Sequence, residues 1–185
     1  MGSMSGGVDL DRRYTLADLG DLPQDGRRDE LADGSLLVGP MARRLHQVAV
    51  QGLGDTLKAA CPPELYVFAT PINIDDPDGT HLEPDLTVVR RQYAAVENGD
   101  LPLLAVEVRS PATAGRDAVL KRHAYARLGV ASYWLLDVTR PSLRVLELVD
   151  GSYVERAHVQ GDLPVTVTAP FPVTLVTSRL IDPAT

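Results

Sequence analysis

Lysine is scarce in this chain: Lys58 and Lys121 are the only two among 185 residues, against sixteen arginines. Cysteine is scarcer still. Cys61 stands alone, so no internal disulfide can form, which fits a reducing cytoplasm. No apolar run approaches the ~18–20 residues of a membrane-spanning helix. The chain also lacks an excess of positive charge. Its formal net charge of −7 argues against coating nucleic acid through bulk electrostatics. It leaves room for a site in which a bound cation neutralises carboxylates locally. The acidic turn from Asp75 to Asp78 lacks calcium-loop spacing and the closing glutamate, so it reads as a hairpin turn. There is no internal repeat and no linker. The opening Met1-Gly2-Ser3-Met4-Ser5-Gly6-Gly7 is unlike a signal peptide, and Met1-Gly2-Ser3 reads as a cloning remnant ahead of Met4.

What remains is ordinary: 44% hydrophobic and 23% charged residues. That is enough for one sizeable core and too little chain for two comfortable domains. We expect a flexible segment over 1–13 and one domain over 14–185. Leu16, Leu19 and Leu22 at helical spacing predict a helix from Tyr14 to Leu22, with Thr15 as its cap. Asp33-Gly34 between two extended pieces predicts a hairpin. A helix is predicted over 41–60, ending before Pro62-Pro63. A strand over 65–74, a turn at 75–79 and a returning strand over 82–89 follow. A polar connection spans 92–100. The most apolar strand, 103–109, is stopped by Ser110-Pro111. A helix over 114–128 is closed by Gly129. A strand at 132–137, a hairpin of 143–149 with 152–159, and short strands over 165–176 complete the chain. This order predicts one α/β domain on a mixed sheet.

Asp85, after Pro84, opens the apolar run Leu86-Thr87-Val88-Val89, and Glu107 lies inside another from Leu103 to Val108. A carboxylate in a buried strand must be paired, protonated or bound to metal. Side chains alternate, so Glu107 and Arg109 share a face and Val108 takes the other, leaving its carbonyl able to point into the same site. Glu30 can reach from its hairpin, and Lys121 lies on a helix that passes the strand's end. Hard oxygen ligands beside a cation suit Mg²⁺ or Mn²⁺ and phosphoester hydrolysis. Paired arginines (Arg12-Arg13, Arg27-Arg28, Arg43-Arg44, Arg90-Arg91) suit phosphate contacts. For any one pair, solvated surface charge is the commoner outcome. His46 reads equally as a substrate or metal neighbour and as a structural histidine. His81, Glu83 and Asp85 alternate and form a rival ligand set, although Pro84 disturbs its geometry and the nearby turn exposes His81. Tyr133 and Trp134 could stack a base, but in an apolar strand they read as core. Cys61 reads as inert.

The order and spacing of these segments is similar to the PD-(D/E)xK nuclease superfamily, and more closely to its Uma-two branch, a bacterial family described as restriction endonucleases. The matching pieces are Glu30-Leu31-Ala32-Asp33-Gly34, Leu45-His46-Gln47, and Pro84-Asp85-Leu86-Thr87-Val88-Val89. They continue with Val106 through Thr113, Lys121, Tyr125 through Val130, and Tyr133-Trp134-Leu135-Leu136-Asp137. Together they cover roughly Tyr14 to Leu148. The resemblance implies a restriction-endonuclease-like fold, a central mixed β-sheet flanked by helices with an additional β-hairpin region. It implies a catalytic group of Glu30, Asp85, Glu107 and Lys121, with Mg²⁺ or Mn²⁺ held by Asp85, Glu107 and the Val108 carbonyl. Arg43, Arg44, His46 and Arg109 would contact the substrate, DNA, whose phosphodiesters would be hydrolysed to 5′-phosphate and 3′-hydroxyl ends.

One departure stands out. Most of the superfamily keeps a lysine two residues after the glutamate, where this sequence has Arg109. Arginine does not readily lose a proton, so Arg109 is expected to clamp phosphate while Lys121 orients the attacking water. Double-strand cleavage calls for two sites, so a homodimer is expected, with the hairpin edge from Leu143 to Val159 as a candidate surface. Two other readings stay open. One is a catalytically silent nuclease-fold module for nucleic-acid binding or toxin neutralisation, which the acidic charge favours. The other is a metal-dependent hydrolase of a small phosphoester, which a deep closed pocket would mark.

Overall fold

The computed structural model describes residues 4–5, 8–9, 12–23, 26–39, 42–96, 100–109 and 115–182. Met41 and Ala114, where helix starts are predicted, and the motif residues Ser110-Pro111-Ala112-Thr113 lie outside the described residues. Met4–Ser5 (β1) pairs with Val8–Asp9 (β2) ahead of a short helix, Leu16–Leu19 (α1). Its start is held by the Thr15 N–H, which donates to Asp18 Oδ2 at 2.7 Å. Arg28–Ala32 (β3) and Ser35–Gly39 (β4) form the predicted hairpin. Asp33 at φ 50° and Gly34 at φ 76° supply the two left-handed residues of its tight turn.

Arg44–Ala60 (α2) buries Ala49, Val50, Leu53, Gly54 and Leu57, a stripe at helical spacing. Next come Leu65–Phe68 (β5), Ile74–Asp76 (β6), Thr80–Leu82 (β7) and Leu86–Arg90 (β8). The single long hairpin predicted over 65–74 and 82–89 is two separate pairings. β5 pairs with β8, whereas β6 pairs with β7 in a different sheet. Pro71 and Pro84 fall at the breaks, where a missing N–H ends a ladder and lets the chain change sheets. A 3₁₀ turn at Arg91–Tyr93 follows. Leu104–Arg109 (β9) leads to Arg116–Leu128 (α3), which Gly129 closes at φ 89° with its N–H bonded to the Tyr125 and Ala126 carbonyls. The remaining strands are Ser132–Asp137 (β10), Ser142–Val149 (β11), Ser152–Gln160 (β12), Pro164–Val167 (β13) and Val173–Val176 (β14).

The six-stranded sheet has the order β12-β11-β10-β9-β8-β5. β9 and β10 are parallel, joined across α3, and the other neighbours are antiparallel, so the sheet is mixed. A smaller sheet has the order β4-β3-β7-β6. Alternation along β9 divides the core. Leu104, Val106 and Val108 pack with Trp134 and Leu136 against α2, β13 and β14. Ala105 packs with Tyr133 and Leu135 toward α3 and the smaller sheet, through Ala124, Tyr125, Leu37 and Leu82. Tyr133 and Trp134 are therefore core residues. No helix among the described residues is long and apolar enough to cross a membrane.

α2 lies close on its neighbours. A Cβ added at Gly54 would sit 2.6 Å from the Ala69 Cβ, and one at Gly52 would sit 2.7 Å from the Leu180 carbonyl oxygen. Alanine gains about 1 kcal/mol of helix propensity over glycine, but forced overpacking costs about 1–3 kcal/mol. Gly54→Ala should therefore lower the urea midpoint despite its better helix propensity.

Candidate active site

β8 and β9 set two carboxylates side by side. Leu86 pairs with Val106, and the next antiparallel step places Asp85 across from Glu107. Directly opposite residues project from the same face of a sheet. Asp85 is only 2% exposed. Its Oδ1 accepts from Arg28 Nη1 at 2.8 Å, and its Oδ2 accepts the Val108 N–H at 2.8 Å. His46 Nε2 lies 3.1 Å from the same Oδ2. Burial alone would raise the Asp85 pKa. The His46 contact, the Arg28 charge and the Val108 N–H together hold it below the ordinary carboxylate value.

Glu107 is also buried, on the side of α3. Lys121 Nζ donates to both of its oxygens at 2.9 Å, and the Tyr125 hydroxyl donates to Oε1 at 2.8 Å. Lys121 and Tyr125 are four residues apart on α3 and so share a helix face. Lys121 Nζ lies 2.5 Å from Glu30 Oε2, while Glu30 Oε1 accepts the Glu83 N–H at 2.7 Å. The amine thus bridges the central sheet and the β3–β4 hairpin. Burial pushes the Glu107 carboxyl up to about 7; Lys121 pulls it down, but the negative charges of Glu30 and Asp85 add to the rise. Burial would lower the Lys121 pKa, yet Glu107 and Glu30 outweigh it and hold the amine above its ordinary value, as an ammonium.

The structure brings Glu30, Asp85, Glu107 and Lys121 together around a cavity of about 290 Å³. Val108, His46, Arg43 and Arg109 also line it. Arg44 is exposed on α2 and lies outside that lining. Arg28 and Tyr125 belong to the constellation but are absent from the sequence-predicted set. Signals for both existed: Arg28 lies two residues before Glu30 on the same strand face, and Tyr125 follows Lys121 by one helical turn. Of the other arginines, Arg12 pairs with Asp18, Arg13 donates to the Asp33 carbonyl, Arg90 pairs with Asp100 and Arg91 donates to the Pro63 carbonyl. These are local structural contacts.

The donor set suits a hard divalent cation. Asp85 and Glu107 offer carboxylate oxygens from adjacent strands. Among the described residues no group of three or more His, Cys, Asp or Glu side chains is poised as a ready-made cage. Magnesium commonly uses one or two carboxylates and keeps waters.

His81 belongs to a neighbouring cluster. Its Nδ1 is 2.5 Å from Asp75 Oδ1 and its Nε2 is 3.5 Å from Glu83 Oε1. The bond to Glu83 and, against burial, the bond to Asp75 raise its pKa from 6.5 to about 9. A histidine whose folded pKa is raised contributes stability that is full below its unfolded value and is lost as pH rises through the folded one. We expect wild-type protein to lose about 1–3 kcal/mol from this source as pH rises from about 6.5 to above 9. His81→Gln should lack that slope in urea titrations across the same range.

The central mixed sheet flanked by α2 and α3, with the additional β3–β4 hairpin, is the arrangement of a restriction-endonuclease-like fold. The chain belongs to the Uma2 family, whose model, described as "Putative restriction endonuclease", matches residues 16–179. Its fold is similar to the crystal structure of a "putative nuclease belonging to DUF820" from Anabaena variabilis ATCC 29413. That likeness has a TM-score of 0.68 at 18% identity and covers 91% of this chain and 97% of the other. No curated protein matches the chain.

Proposed function

We propose that this protein is an Mg²⁺- or Mn²⁺-dependent endonuclease that hydrolyses phosphodiester bonds of DNA. The observation that carries the reading is the buried Lys121 ammonium clasped by Glu107 and Glu30 beside Asp85. Asp85 and Glu107 would hold the cation. The Val108 N–H donates to Asp85, and a strand residue's carbonyl lies on the same edge as its N–H, so that carbonyl borders the same space. A bound divalent cation would supply Lewis acidity and make water a nucleophile near neutral pH.

The chain's own residues do the rest. Lys121 would orient the attacking water by giving up one of its carboxylate contacts as the cation binds, and its charge would offset that developing at the phosphoryl group. It does not act as a base, because its two carboxylate partners keep it protonated. Glu30 fixes the amine from the hairpin side. Arg109 and Arg43 line the cavity and would take flanking phosphates, Arg109 as a clamp because guanidinium stays charged. A second copy, supplying the second cut of a duplex, would use the outer strand β12.

The test is cleavage of supercoiled plasmid. Mn²⁺ or Mg²⁺ should support nicking or linearisation, and a chelator should abolish it. Turnover of bis(p-nitrophenyl) phosphate without plasmid cleavage would favour the small-phosphoester reading, and metal-independent DNA binding without cleavage the silent module.

A further inference from the structure

Every oxygen of Asp85 and Glu107 already carries a donor or a cation. Each oxygen can accept twice, so a metal can still reach the second lone pair of Asp85 Oδ1, but there it would sit directly beside the Arg28 guanidinium, whose charge opposes it. Lys121 is poorly suited to leave: its side chain is 10% exposed and it is bound to two buried carboxylates. Arg28 is different. Its side chain is 24% exposed, and it reaches Asp85 through a single atom, Nη1.

Arg28 also has somewhere to go. Its Nε lies 3.5 Å from the Glu83 carboxylate. It lines both the site cavity and a neighbouring cavity of about 640 Å³ that reaches Leu16, Leu19 and His81. A guanidinium released from Asp85 therefore keeps a carboxylate partner and stays near the site. A divalent cation at Asp85 would repel it, and a phosphate diester would attract it through two parallel hydrogen bonds.

We propose that Arg28 is a latch on the metal position: it holds Asp85 while no metal is bound, and a DNA phosphate draws it away, so that DNA and metal bind cooperatively. The proposal rests on the metal-dependent nuclease reading above. It assigns Arg28 a positioning role that couples two ligands. By linkage, the factor by which DNA tightens metal binding equals the factor by which metal tightens DNA binding.

The test measures Mn²⁺ affinity of the full chain by calorimetry and electron paramagnetic resonance. It is done with and without a phosphorothioate duplex, which keeps the backbone charge and resists hydrolysis. In wild-type protein the duplex should tighten Mn²⁺ binding about tenfold, within the usual range of such couplings. Arg28→Gln should bind Mn²⁺ about tenfold tighter without DNA and gain little more from the duplex. Glu83→Gln, which removes the alternative partner, should weaken Mn²⁺ binding. If Arg28→Gln does not fold, Arg28→Lys, with a shorter reach and no planar fork, should shift affinity in the same direction. Equal or weaker Mn²⁺ binding by the Arg28 variants, or undiminished coupling to the duplex, would overturn the latch. Failure of wild-type protein to bind Mn²⁺ at all would instead overturn the metal reading on which it rests.

Discussion

Lys121→Ala should inactivate the protein and destabilise it strongly. The amine is the shared partner of Glu30 and Glu107, both buried. Removing one member of a buried ion-paired group leaves uncompensated charge and costs about 3–5 kcal/mol. Loss of an electrostatic group at the reacting centre lowers a rate by ~10²-fold or more. The two effects separate by pH. Glu107 already titrates at about 7 with the lysine in place, and without it the carboxyl rises further. A group whose folded pKa is raised above the unfolded value of an acid destabilises as pH increases through that range. The stability of Lys121→Ala should therefore recover as pH falls toward about 5, while its cleavage rate stays low at every pH. Chemical denaturation from pH 5 to 8, beside a plasmid assay, reads both. Wild-type stability at pH 8 would remove the ion-paired amine from the account.

Asp85→Asn should erase the link between metal and stability. A ligand bound only by the folded state stabilises it by RT ln(1 + [L]/Kd), about 2.7 kcal/mol at a hundred times Kd. For a chain of this length each kcal/mol moves Tm by about 2–4 °C. Saturating Mn²⁺ should thus raise the wild-type Tm by roughly 5–10 °C. The asparagine variant keeps an oxygen for the Val108 N–H but loses the charge, so most of the rise should vanish. Cleavage should fall with it. Equal Tm gains in both proteins would show that Mn²⁺ binds elsewhere.

Most of the frame was legible because local chemistry and global fold agree. Asp33-Gly34 demands a tight hairpin turn, Gly129 demands a helix end, and the apolar block of residues 132–137 has few alternatives to a buried strand. The break came where local pattern is ambiguous. Residues 65–89 alternate well enough to suggest one hairpin, but Pro71 and Pro84 divide the segment between two sheets. Which sheet a short strand joins depends on distant partners: β7 also pairs with β3 through Leu31 and His81.

The grouping around Lys121 follows the same logic. Asp85 and Glu107 announce themselves as carboxylates in apolar strands, and the helix bearing Lys121 must return across the sheet. Arg28 is quieter, one of sixteen arginines and a member of one of four pairs. Its partner Asp85 lies 57 residues away in sequence, and no local pattern reports such a contact. The sequence does not show that Lys121 is held between two carboxylates, which keep it as firmly protonated as an arginine.

The most direct measurement is anomalous diffraction from a crystal soaked in Mn²⁺. The account predicts one strong peak between the carboxylates of Asp85 and Glu107, at metal–oxygen distances of about 2.0–2.2 Å for a hard divalent ion, with the Arg28 guanidinium withdrawn from Asp85. A fully occupied Mn²⁺ bound elsewhere, with Asp85 still paired to Arg28 and Glu107 still clasped by Lys121, would contradict it.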